Sequence, residues 1–144
     1  MDFLIGLLLA AASCGAARLV GFDRERVFYP TMLVVIATYY ILFAVMGGGG
    51  QALWIEAMIA GAFIGAAIAG FRSNLWIVVA ALAGHGLFDL THHQLFQNGG
   101  VPHFWPGFCS AFDGAAAIFL GVILVTRSNP AVEGRDVSHR GHSN

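Results

Sequence analysis

The chain has 144 residues, 58% of them hydrophobic and only 10% charged, with no lysine and a formal net charge of −1. It is too apolar for a soluble domain and too short for two domains. Its seven arginines are scattered, which leaves no basic surface for a phosphate backbone; nucleic acid is excluded as a partner and the lipid bilayer is left.

The first apolar run, Phe3 to Gly21, follows Asp2 and no basic residue. It therefore reads as a retained transmembrane helix and not as a cleaved signal peptide, whose leading region is positive. Arg18, near its inner end, can snorkel to the interface without a partner. Asp23-Arg24-Glu25-Arg26 separates this run from the second, Phe28 to Met46, where Pro30 sits in the first turn and costs no helical hydrogen bond.

A glycine-rich connection from Gly47 to Gln51 leads to the third run, Ala52 to Phe71. Its small residues Ala57, Gly61, Gly65 and Ala69 form a ridge that allows close helix approach in lipid, which suggests a span inside the bundle and a homo-oligomer contact through the Gly61/Gly65 face. Arg72-Ser73-Asn74 then precedes the fourth run, Leu75 to Phe96, and the uncharged loop from Gln97 to Pro106 precedes the fifth, Gly107 to Thr126.

Each run, at about 18–22 residues, can cross a hydrocarbon core of roughly 30 Å. Every arginine falls near one side, so the positive-inside rule places the N-terminus outside and the C-terminus in the cytoplasm. The expected architecture is an all-α integral membrane bundle of five transmembrane helices in a bacterial inner membrane. A single transmembrane domain covers residues 1–127, and a polar, disordered cytoplasmic tail covers 128–144. Cys14 and Cys109 fall at different depths, beyond the reach of a disulfide.

The fourth run contains His85-Gly86-Leu87-Phe88-Asp89-Leu90-Thr91-His92-His93, three imidazoles and a carboxylate at membrane depth, where ionisable groups are costly and mark function by default. At 100° per residue His85, Asp89 and His92 lie within about 60° of one another, with His93 on the shoulder about 80° from His85. The fifth run adds Cys109 and Asp113 on one face, and Asp113 lies roughly 9 Å below the outer start of its run, close to the depth of Asp89. Glu56 enters from the same outer side, about 140° from Gly61, so it faces away from the core if the small ridge faces in.

Two carboxylates close together in low dielectric do not both stay ionised without a proton, an imidazolium or a cation. Three readings follow. His85, Asp89, His92 and Asp113 ligate a divalent metal, zinc or iron, with His93, Cys109, His103 and Glu56 as second-tier residues. Alternatively, the same groups form a proton, ion or small-solute pathway. In the third, they pair helices as polar glue, His85 with Asp89 and His92 or His93 with Asp113. A metal with an open position would activate water for hydrolysis, although no His-Glu-x-x-His helix or Cys-x-x-Cys pair is present.

Cys109 reads either as a nucleophile beside His92 or His93 or as an inert buried thiol. The loop holding His103, Phe104 and Trp105 reads either as a lid over the cluster or as an interfacial anchor. Tyr39 and Tyr40, mid-span in the second run, are in a position to hydrogen-bond into the cluster or to pack.

The segments His85 to His93 and Gly100-Val101-Pro102-His103-Phe104-Trp105-Pro106-Gly107-Phe108-Cys109 together resemble a family of small bacterial multipass membrane proteins of unassigned function. The resemblance implies a multipass helical fold and supplies no reaction, cofactor or catalytic residue. In having intramembrane His and Asp the chain also resembles the zinc-dependent membrane hydrolases of the ceramidase and adiponectin-receptor type. Those have seven spans and a different His placement, so no residue carries over.

Overall fold

A computed structural model describes residues 1–128. Its helices are α1 (Asp2–Val20), α2 (Phe28–Met46), α3 (Gln51–Arg72), α4 (Trp76–Leu95) and α5 (Trp105–Ser128), with a 3₁₀ turn at Phe22–Arg24 between α1 and α2. No strand occurs among the described residues. Every expected run becomes a helix whose ends lie within two residues of the expected ones. Helix α5 continues through Arg127 and Ser128; the rest of the expected tail lies outside the described residues.

Helices α1, α2, α3 and α5 are long and apolar enough to cross a membrane. Helix α4 is of similar length, 20 residues, but carries His85, Asp89, His92, His93 and Gln94. The helix that bears the polar cluster is thus the least apolar of the five.

Helix α5 lies between α1 and α4, while α3 packs on α2 and α4. Helix α1 turns only Gly6, Ala10, Cys14 and Ala17 inward. This stripe of small residues, recurring every three or four positions, permits close approach to α5. Arg18 donates to Asp23 at 2.8 Å, and Arg127 donates to the Asp23 carbonyl at 3.3 Å, tying α1, the 3₁₀ turn and α5 at one end. At the same end Arg26 reaches the carbonyls of Gly70 and Ser73, satisfying acceptors that the C-terminus of α3 leaves free. At the opposite end Gly48, Gly49 and Gly50 all have positive φ, the conformation that turns α2 into α3 within four residues.

The orientation of α3 corrects the expectation drawn from its small ridge. Glu56, Ala60, Ala67 and Gly70 face the core, whereas Gly61 and Gly65 are exposed, with nothing within 4 Å of a Cβ built on either. The reason is hydrogen bonding: a glycine loses little on the outer face, but Glu56 has buried partners on α4 and in the following loop.

Candidate metal centre

Helical spacing puts His85, Asp89 and His92 on the buried face of α4, each with at most 1% of its surface exposed, and α5 presents Asp113 at 0%. The two helices approach closely because Gly86 lies between them. A Cβ there would stand 3.2 Å from the Ser110 carbonyl oxygen and 3.4 Å from Asp113 Cβ. Asp113 can therefore reach across to α4.

His85 Nδ1 lies 2.7 Å from Asp113 Oδ2 and 3.6 Å from Asp89 Oδ2. One nitrogen and one oxygen from each carboxylate fall within 4.8 Å of one another, a group that could hold a metal ion. Asp89 Oδ2 and Asp113 Oδ1 are buried without a hydrogen-bond partner. The other oxygen of Asp89 accepts a hydrogen bond from the Tyr40 hydroxyl at 2.7 Å. Phe63 closes the site edge-on against His85, with ring centroids 4.7 Å apart.

His92 belongs to a different group. Its Nε2 is 2.7 Å from Glu56 Oε1, which also accepts from Asn98 Nδ2 at 2.8 Å. The expected pairing of His92 or His93 with Asp113 is thus replaced by His85 with Asp113 and His92 with Glu56. The two groups adjoin through Tyr40, whose ring stacks on the His92 imidazole at 4.5 Å while its hydroxyl serves Asp89.

Glu56, expected to turn away, is 1% exposed and central to the second group. His93 and His103 are exposed and lie outside the metal-capable group; His93 meets the second group only edge-on at the His92 ring, with centroids 5.6 Å apart. In this loop His103 is exposed and Asn98 is the residue turned inward. Cys109 is buried but lies outside the metal-capable group, and both cysteines are free thiols.

Asn98 was not singled out by its sequence context. It is 6% exposed and spans Glu56 and the Tyr40 carbonyl, while its own side-chain oxygen accepts from the Gly100 N–H at 3.2 Å. The Asn98-Gly99-Gly100 string is a turn signal that could have marked it, since an Asn side chain commonly bonds backbone two residues on.

An imidazole with two carboxylates suits zinc or iron, and a tyrosine hydroxyl on the far oxygen of one carboxylate is the kind of outer contact that fixes a ligand's orientation. Comparison with protein-family models, curated proteins and solved structures gave no match. The site's own chemistry is therefore the ground for a functional reading.

Proposed function

We propose that the chain crosses the membrane five times, with its N-terminus outside, and binds a divalent cation, zinc or iron, between α4 and α5. His85, Asp89 and Asp113 are the ligands and Tyr40 orients Asp89. The observation that carries this reading is the convergence of three fully buried ligand groups within 4.8 Å, two of whose oxygens have no hydrogen-bond partner. Buried carboxylates in that state call for a counter-charge, and a dication supplies it to both at once. When bound, it would act as a Lewis acid toward any group admitted beside it.

Holding the cation is the proposed role, and hydrolysis is not. A hydrolase must bring substrate to the metal, and ligands no more than 1% exposed offer no such approach in this conformation. The reading of α4 as a fifth span is supported by its place beside α5 and α3, since the partners of its polar face are inside the bundle and its outward residues Leu87 and Leu90 are exposed and apolar.

The metal content of the purified protein, compared with an Asp89→Asn, Asp113→Asn double variant, tests the cation. Stoichiometric zinc or iron in the wild type and none in a folded variant is expected; folded wild type that takes up neither metal overturns the proposal. A second reading, helix pairing alone, is favoured by the two complete 2.7 Å pairs, His85 with Asp113 and His92 with Glu56. It predicts metal-free wild type and a variant that fails to assemble. Labelling of single cysteines placed at Asn74 and His103, from opposite sides of the membrane, tests the orientation.

A further inference from the structure

Away from the polar groups, α1 and α2 stand apart and leave a groove of about 670 Å³, open to the side, with α5 as its floor. Leu9 of α1 and Met32, Val35 and Ile36 of α2 form apolar walls, and Phe108 and Phe112 form the base. At one end Tyr39 meets Trp105 edge-on, ring centroids 5.0 Å apart; at the other stands Glu25.

Two features specify an occupant. From Phe28 to Tyr39 the groove follows α2 over 11 helical steps, about 17 Å at 1.5 Å per residue, close to half of a hydrocarbon core of roughly 30 Å and so to the reach of one leaflet's chain. The Glu25 carboxylate at its end is exposed and has no ion pair among the described residues. An apolar slot one leaflet long with a carboxylate at the interface is complementary to an alkyl chain under a cationic head. A primary ammonium can also donate hydrogen bonds to that carboxylate, which a quaternary one cannot.

We propose that this groove holds one acyl chain of a phospholipid with a primary-ammonium head, taken from the leaflet at the Glu25 end. The proposal rests on the membrane embedding above and is independent of the cation.

The test uses full-length protein with Trp54→Phe and Trp76→Phe, leaving Trp105 as the fluorophore, reconstituted in choline-headed phospholipid vesicles. A few mole per cent of lipid brominated near the chain end is added, with either an ethanolamine or a choline head. Quenching of Trp105 by the ethanolamine lipid should exceed its bulk share several-fold. Glu25→Gln should bring it down to the choline level, and Val35→Phe, which fills the slot, should bring both down to the bulk share.

Quenching that follows bulk mole fraction for both heads in the parent protein overturns the site and leaves only an ordinary lipid annulus. A head preference that survives Glu25→Gln overturns the assignment of Glu25. Absence of quenching even in fully brominated vesicles overturns the membrane reading itself, and the groove with it. Metal analysis of the same preparations reports on the cation separately.

Discussion

His85 Nδ1 stands 2.7 Å from Asp113 and 3.6 Å from Asp89, a single ring nitrogen between two carboxylates that arrive from neighbouring helices. Among the described residues no arginine pairs with either carboxylate, and all three groups are at most 1% exposed. Whatever neutralises the pair holds α4 to α5. An imidazolium can do so, and a dication can do so more completely.

Added zinc is therefore expected to raise the unfolding temperature of metal-free wild-type protein in detergent. A ligand bound only by the folded state contributes about 2.7 kcal/mol at a hundred times its Kd. Asp113→Asn should abolish the zinc-dependent rise. His85→Ala should lower the baseline by about 3–5 kcal/mol, because it leaves buried charges uncompensated. A thermal shift that is the same in wild type and Asp113→Asn would mean that zinc acts elsewhere.

Tyr40→Phe removes one hydroxyl and keeps the ring that stacks on His92. Losing a single interhelical hydrogen bond in a membrane protein costs about 0.6–1.7 kcal/mol, so the variant should fold. Its cation affinity should fall about 10–100-fold, the range for loss of an outer contact that orients a ligand. Competition against a chromophoric chelator measures this, and unchanged affinity would show that Tyr40 does not position Asp89.

Glu56 and His92 can be separated from the cation by a double-mutant cycle. Glu56→Leu leaves His92 buried without its 2.7 Å partner and deprives Asn98 of an acceptor, so it should be strongly destabilising. Adding His92→Leu should restore part of the loss, since a buried pair replaced by apolar residues is often neutral. Zinc uptake should persist in the double variant. Its disappearance would place His92 or Glu56 among the ligands.

How far the sequence led can be judged from particular residues. Apolar runs bounded by charges or glycines define the helices, because crossing a hydrocarbon core depends on length and hydropathy alone. The shared face of His85, Asp89 and His92 follows from helical period, and so does the match in depth between Asp89 and Asp113. Which carboxylate each imidazole would meet did not follow, because that depends on the rotation of α3. There the small ridge of Gly61 and Gly65 pointed one way and Glu56 the other, and the buried hydrogen bonds of Glu56 prevail over the packing preference of glycine. Asn98 was hidden for a related reason: a loop residue becomes part of a site only when the loop folds back over the helix ends.

The contacts of Asp23 with Arg18 and Arg127 give an asymmetric prediction. Asp23 has 1% of its side chain exposed, whereas Arg18 is 56% and Arg127 43% exposed. Arg127 approaches the same carboxylate oxygen only to 3.9 Å, against 2.8 Å for Arg18, and Asp23 Oδ1 has no hydrogen-bond partner. Removing Asp23 lets both arginines return to water, so Asp23→Ala should cost no more than about 1 kcal/mol, as for an exposed pair. Removing Arg18 strands a buried carboxylate on one distant cation, so Arg18→Ala should cost about 1–3 kcal/mol, the penalty of an unsatisfied buried group. Thermal unfolding of the two variants side by side gives the order, and Asp23→Ala proving the more damaging would show that the carboxylate holds the turn by more than its charge.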